Sequence, residues 1–182
     1  GPRLRVAHAP SNRATKGTAA ILEVLQGIDG IDVDLIEGVG FDECRKRVVN
    51  ADVLVDQMEP SIGGIGALAI EAMALGVAVV SDVRHVTPEA WRRAGIAPAP
   101  ILNTTPETLR QAIETLQDRT TLHALRSASL IWVRENASSE AVARRWHEAL
   151  TSAPYLTPVA DPPPIISAAM IVRNEERGIR QA

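Results

Sequence analysis

The fold is decided by the stretch GGIGALAIEAMALGVAVV, which occupies residues 63–80. Its glycines predict a loop that leads into an apolar helix from about Ala67 to Leu75, and Gly76 predicts the end of that helix. The four residues that follow, 77–80, are apolar without interruption. A short strand with no polar alternation is typical of a parallel sheet that helices cover on both faces. The stretch therefore predicts an α/β protein.

The same alternation of strand and helix extends along the chain on both sides of this stretch. Further strands are predicted at 4–9, 33–36, 53–55 and 100–102, and further helices at 16–25, 41–50 and 106–116, with two more helices between 122 and 150. This order predicts a Rossmann-like, doubly wound parallel sheet with helices on both faces, followed by C-terminal helices.

Composition narrows the range of functions. The chain has 182 residues, of which 46% are apolar and 23% charged, and its formal net charge is −3. A mildly acidic chain with 3% aromatic residues has neither the basic surface nor the stacking side chains that nucleic-acid binding requires. A lone cysteine, Cys44, and four dispersed histidines predict no metal site. The absence of a signal peptide and of a membrane span predicts a cytoplasmic protein.

A change of composition near residue 153 predicts the domain organisation. Residues 3–152 form the predicted Rossmann-like domain, and the proline-rich stretch 153–164 is a stiff linker. Beyond it, residues 165–182 have the pattern of one strand and the start of one helix, which cannot form a domain alone. We interpret them as the beginning of a second module.

The glycine-rich loop and the helix after it are the strongest candidates for a binding site. Glycines at a helix start let backbone N–H groups approach a phosphate, which the positive end of the helix dipole attracts. Glu71 lies about one and a half turns into this apolar helix, where its carboxylate needs a hydrogen-bond donor such as a ribose hydroxyl. A tight helix–sheet contact, with Glu71 reaching solvent, explains the same residues equally well.

A second candidate follows the first strand. Arg13 and Lys16 lie in the loop after that strand, at the edge where open α/β sheets bind ligands. Two cations at this edge could neutralise part of a diphosphate. Taken alone, the segment is better explained as a solvated charged loop, and its pairing with the glycine-rich loop favours the functional interpretation.

These residues carry a resemblance to a known family. The span 4–80 resembles the C-terminal, donor-binding half of a GT-B glycosyltransferase of the nucleotide-sugar family 4. The match rests on Lys16-Gly17 after the first strand, on Ala51-Asp52-Val53, and above all on Gly66 followed by Glu71-Ala72-Met73-Ala74-Leu75-Gly76 and Val79-Val80. Gly63 departs from the pattern, because the family usually has a glutamate eight positions before the ribose-binding one, and Pro10 stands where its arginine is common.

The resemblance implies a function and a set of roles. Lys16 would contact the donor diphosphate, Gly64 and Gly66 would cradle it through backbone amides, and Glu71 would hold the ribose hydroxyls. Arg13 and His8 are further donor-contact candidates. The resemblance also implies transfer of a glycosyl group from a nucleotide-diphosphate sugar, without a metal or other cofactor and with retention at the anomeric carbon.

The partners implied are the donor, an N-terminal acceptor-binding domain that this sequence does not include, and a following module. Residues 166–181 resemble the opening strand and turn of a family 2 glycosyltransferase of the GT-A type. Because a GT-B site lies between two domains, we expect the isolated chain to be inactive.

Two other functions stay open at this point. Gly64, Gly66 and Ala69 fit a variant of the dinucleotide fingerprint, with Asp82 near the place of its ribose-binding acid, so an oxidoreductase module is the first alternative. The second is a sugar-nucleotide-binding domain that kept the fold and lost the activity, an alternative that Gly63 keeps open. Asp32-Val33-Asp34 spells a metal-binding Asp-x-Asp motif, which we interpret as a chance match.

Overall fold

The computed structural model describes residues 2–59 and 64–152, and within them the core is a five-stranded sheet in the order β2-β1-β3-β4-β5. The strands are β1 (Leu4–His8), β2 (Ile31–Leu35), β3 (Val53–Val55), β4 (Ala78–Ser81) and β5 (Leu102–Asn103). Each neighbouring pair is parallel; Val6 stands beside Val53, and Leu54 beside Val79. The predicted parallel sheet of an α/β fold is therefore confirmed.

Helices cover both faces of this sheet. In chain order the helices of the described residues are α1 (Arg13–Lys16), α2 (Thr18–Gln26), α3 (Phe41–Val48), α4 (Ala67–Ala74), α5 (Pro88–Ala94), α6 (Leu109–Leu116), α7 (Arg119–Asn136) and α8 (Ser139–Ser152). Val53 and Val55 pack into one buried cluster with residues of α2 and α6, whereas Leu54 packs into a second cluster with residues of α3 and α4. Successive strand residues thus point to opposite faces of the sheet. Because helices cover both faces, every residue of β3 is buried, and most of β4 is apolar for the same reason.

Helix α7 lies at the amino edge of the sheet. The Arg126 guanidinium donates to the carbonyl of Gly76 and comes within 3.5 Å of Asp52, which directly precedes β3. Leu122 belongs to the first buried cluster and Trp132 to the second, so α7 contributes to both layers of the core. The opposite, carboxyl edge of the sheet is where the loops after β1 and β3 meet.

Two local features differ from the sequence-based expectation. The helix expected from residue 16 is divided at Gly17, whose φ of 70° separates the short α1 from α2. Helix α5 was not expected, although Thr87 accepts a hydrogen bond from Ala90 N–H at its start, Pro88 opens it and Gly95 ends it with a φ of 65°. Gly76 ends α4 as expected, with a φ of 72°.

By its contacts the chain divides into two compact units, residues 1–144 and 145–182. The second unit is described only as far as residue 152, so the predicted linker (153–164) and second module (165–182) lie outside the described residues. None of the described helices combines the length and the apolar character that a membrane span requires.

Candidate functional site

The candidate site lies where the strand order reverses. Strands β2 and β3 flank β1, so the chain leaves β1 to one side and β3 to the other, and open α/β sheets bind ligands at such a switch point. The loops after β1 and β3 touch there, because Met58 N–H donates to the Lys16 carbonyl at 3.1 Å. A side chain at Gly17 would meet the Met58 carbonyl carbon at 3.3 Å, so a glycine allows this close approach.

Lys16 is placed by the short helix α1. The Asn12 side chain accepts hydrogen bonds from Ala14 N–H at 2.9 Å and Thr15 N–H at 3.1 Å, and Gly17 turns the chain directly after the lysine. The Lys16 ammonium donates to Asp56 Oδ1 at 2.8 Å and to Gln57 Oε1 at 3.0 Å. Only 14% of the Lys16 side chain is exposed, so the cation is held within the loops rather than in solvent.

The Lys16 ammonium lies against Gly66, the residue that precedes helix α4. A β-carbon on Gly66, the N-cap of α4, would be 3.1 Å from Lys16 Nζ and 2.7 Å from Asp56 Oδ2. No side chain caps α4, and its first turn contains no acidic residue. Lys16, the positive end of the α4 dipole and the Asp56 carboxylate therefore meet at one place, where the first two favour an anion and Asp56 offsets part of their charge.

Glu71 lies five residues after Gly66, about 7.5 Å further along the axis of α4. Its Oε2 atom is buried and has no hydrogen-bond partner among the described residues. Its charge reaches Cys44 of α3, where burial first and Glu71 second raise the pKa of the thiol. A buried carboxylate oxygen without a donor costs about 1–3 kcal/mol, which a bound hydroxyl group would recover.

Gly64 is the other described glycine of the loop. Its φ is 98°, which only glycine adopts readily, and its carbonyl accepts a hydrogen bond from Gln57 Nε2 at 3.3 Å. Gln57 thus links the loop to Lys16 as well. Gly63, the position at which the sequence departs from the family pattern, lies outside the described residues.

Two of the predicted donor-contact residues, His8 and Arg13, have hydrogen-bond partners within the protein. His8 is fully buried: its Nδ1–H donates to the Val55 carbonyl at 2.7 Å, and its Nε2 accepts from the Thr18 hydroxyl at 2.9 Å. Burial lowers the pKa of His8, which favours this neutral form. Both ring nitrogens have partners within the protein, so His8 joins β1 to β3 and α2.

Arg13 likewise pairs with a side chain of the protein, that of Glu37. Its guanidinium forms two hydrogen bonds to the Glu37 carboxylate, at 2.8 and 2.5 Å, and holds the pKa of Glu37 below its usual value. The structure therefore brings Lys16, Gly66 and α4 together, whereas Arg13 pairs with the residue just after β2.

The structure adds Asp56 and Gln57, which sequence reasoning missed. Their side chains are buried, and both contact the Lys16 ammonium. One signal was available, since a carboxylate and an amide directly after the apolar strand β3 fall at the ligand-binding edge of the sheet.

The acidic residues behind the alternative interpretations pair with arginines. Asp82 is buried and accepts two hydrogen bonds from Arg84, which lower the pKa of its carboxyl. In the Asp-x-Asp stretch, Asp32 pairs with Arg3 and Asp34 with Arg47. The residues of the structure that can be described contain no cluster of three or more metal-ligating side chains.

The sequence matches no protein-family model and no curated protein. The fold, in contrast, is similar to that of solved structures. WaaG, a glycosyltransferase involved in lipopolysaccharide biosynthesis, aligns with a TM-score of 0.52 and 11% identity over 84% of this chain and 48% of its own. The UDP-GlcNAc 2-epimerase of Neisseria meningitidis, solved with UDP-GlcNAc bound, aligns with a TM-score of 0.45 and 13% identity over 78% of this chain and 44% of its own.

This chain thus spans about half the length of the structures that it resembles. With its five parallel strands and the helices on both faces, it has the Rossmann-like fold of one half of a GT-B structure.

Proposed function

We propose that this chain is the nucleotide-sugar-binding half of a glycosyltransferase of the GT-B type, similar to family 4. One observation carries the proposal: the Lys16 ammonium lies against Gly66 at the start of α4, and Glu71 of the same helix keeps a buried oxygen without a partner. The first feature suits a diphosphate, and the second suits a hydroxyl donor further along the helix. A nucleoside diphosphate carries both groups in one molecule.

The chemistry that follows is stabilisation of a leaving group. When the bond between the sugar and the diphosphate breaks, negative charge builds on the diphosphate oxygens. Lys16 and the amides at Gly64 and Gly66 would offset that charge without a metal, and a preorganised set of donors does so at little reorganisation cost. Glu71 would anchor the ribose and thereby fix the diphosphate against Lys16.

The remaining parts of the proposal rest on the resemblance. The acceptor would be held by the second half of the GT-B structure, and transfer would retain the anomeric configuration. Residues 165–182 would begin a further module of the GT-A type. The isolated chain, which forms one wall of such a site, would bind the donor and turn over none of it.

A thermal-shift screen tests the proposal. UDP, GDP, ADP, their sugar conjugates and NAD are added to the purified chain at about 100 times the dissociation constant of the best ligand. A ligand at that excess stabilises a domain by about 2.7 kcal/mol, which raises the Tm of a 150-residue domain by about 5–11 °C. We expect one nucleoside diphosphate and its sugar conjugates to give this shift.

A pair of matched variants tests whether the ligand-induced rise in Tm depends on the candidate site. Lys16→Gln removes the cation but leaves a hydrogen-bond donor for Asp56, and Lys46→Gln removes the exposed lysine of α3 as a control. The shift should shrink in the first variant and persist in the second. A shift with NAD alone would favour the oxidoreductase alternative, and no shift with any nucleotide would refute the proposal.

A further inference from the structure

The partner of Lys16 is an unusual feature of the site. Asp56 follows β3 directly, only 3% of the residue is exposed, and Lys16 Nζ contacts its Oδ1 at 2.8 Å. Its second oxygen, Oδ2, is buried and has no hydrogen-bond partner among the described residues. A carboxylate buried to this extent is costly unless it is paired, so its presence calls for a reason beyond packing.

The contacts of the ammonium indicate that reason. A lysine ammonium has three N–H donors, and Asp56 and Gln57 accept two of them. Among the described residues nothing else accepts from the third donor, at a nitrogen that lies 3.1 Å from the β-carbon position of Gly66. The long, flexible lysine side chain is thus held at the start of α4 by contacts within the protein itself.

A side chain that the protein already holds in place contributes differently to ligand affinity than a free side chain does. A free lysine loses rotamer entropy when it closes on an anion, whereas a lysine that the protein already holds loses less. The carboxylate also partly neutralises the ammonium, which opposes anion binding. The two effects have opposite signs, and an experiment can separate them.

We propose that Asp56 is a positioning residue for the donor diphosphate, which it serves by holding the Lys16 ammonium at the N-terminus of α4. This inference rests on the proposed function in so far as the ligand is a diphosphate. Its structural half, that Asp56 and not the loop backbone holds Lys16 in place, can be tested without any nucleotide.

Amine acetylation tests the structural half. Lys16 and Lys46 are the lysines of the chain, so the second, exposed one is an internal reference. We expect sulfo-NHS-acetate to label Lys16 at least about tenfold more slowly than Lys46, as read by peptide mass spectrometry. In Asp56→Asn the rate at Lys16 should rise to within a few-fold of that at Lys46, which itself should not change.

Equal labelling of the two lysines in the wild-type chain, or an unchanged rate at Lys16 in Asp56→Asn, would overturn the inference. The wild-type comparison needs no substitution, so equal labelling there overturns the inference even if the variant does not fold.

A double-mutant cycle tests the functional half. The Kd of the nucleoside diphosphate identified by the screen, and of its nucleoside, is measured for wild type, Asp56→Asn, Lys16→Gln and the double variant. We expect Asp56→Asn to weaken diphosphate binding about tenfold in the wild-type background, which corresponds to loss of one charge-assisted hydrogen bond. In the Lys16→Gln background it should tighten binding, because Asp56 there is a bare negative charge beside an anion. Nucleoside binding should stay constant throughout.

This change of sign is the signature of action through Lys16, since damage to the fold would weaken binding in both backgrounds. Equal losses in both backgrounds, or tighter binding in Asp56→Asn alone, would overturn the positioning role. If wild type binds no nucleoside diphosphate, the proposed function fails, whereas the acetylation result still stands or falls by itself.

Discussion

Removing the Lys16 side chain should destabilise the fold because it leaves the buried Asp56 carboxylate without its cation. In Lys16→Met the Asp56 carboxylate, whose side chain is 2% exposed, loses the ammonium at 2.8 Å, and its second oxygen has no hydrogen-bond partner among the described residues. Breaking one side of a buried ion pair costs about 3–5 kcal/mol. Because 14% of the Lys16 side chain is exposed, water reaches the site and the cost should fall near the lower end, at about 3 kcal/mol.

The double variant Lys16→Met/Asp56→Asn removes the stranded charge together with its partner. We expect it to recover most of the loss and to stay within about 1 kcal/mol of wild type, as replacement of whole buried pairs commonly does. Urea unfolding of the three chains, followed by circular dichroism, gives the free energies of unfolding, and equal m values would show that the unfolding transition is unchanged. If the single and double variants unfold at the same midpoint, the destabilisation does not come from the buried carboxylate and the reasoning is refuted.

Three further predictions concern neighbouring residues. Glu71→Met should raise the free energy of unfolding by about 1 kcal/mol, because it replaces a buried oxygen that has no partner among the described residues; a loss of stability in urea unfolding would contradict this. Under the proposed function the same variant should abolish nucleoside binding. Burial lowers the pKa of His8 below its ordinary 6.5, so the folded state resists protonation and stability should fall on acidification below pH 6.5, by up to about 1.4 kcal/mol per pH unit. Comparing urea midpoints at pH 7.5 and 5.5 checks this, and in His8→Gln the decrease should disappear. Gly66→Ala should weaken diphosphate binding at least about tenfold, since its methyl group would lie 2.7 Å from Asp56 Oδ2. The control is Gly40→Ala, whose added carbon would have no neighbouring atom within 4 Å, and diphosphate titrations of this variant should match those of wild type.

Strands β3 and β4 were the most predictable from sequence because they are short apolar runs, whereas β1 and β2 include polar residues such as Arg5, Asp32 and Asp34. Val53–Val55 and residues 77–80 show no alternation of polar and apolar residues, as expected for strands buried on both faces, and Gly76, with a φ of 72°, marks a helix end. Helix α5 was predictable in principle from Thr87, Pro88 and Gly95, but its exposed, polar sequence lacks the apolar periodicity on which helix prediction mainly depends.

The candidate site was predictable only in part. Lys16 and Gly66 follow strands that turn out to be neighbours, so a rule about sheet edges places them together. The sequence contains no distances, however, so it could not show that Asp56 pairs with Lys16. For the same reason Arg13 and His8 were grouped with Lys16, although their hydrogen-bond partners lie after β2, on β3 and on α2. Their roles depend on partners far away in the chain.

The central claim is that Lys16 and Glu71 hold opposite ends of one donor. Isothermal titration of the nucleoside diphosphate and of its parent nucleoside into Lys16→Gln and Glu71→Gln tests it most directly, with Lys46→Gln and Glu23→Gln as exposed controls. The account predicts that Lys16→Gln weakens only the diphosphate, by about tenfold and less at high salt, whereas Glu71→Gln weakens both ligands by a similar factor. Nucleoside binding that survives Glu71→Gln intact, or that falls in Lys16→Gln as much as diphosphate binding does, would contradict it.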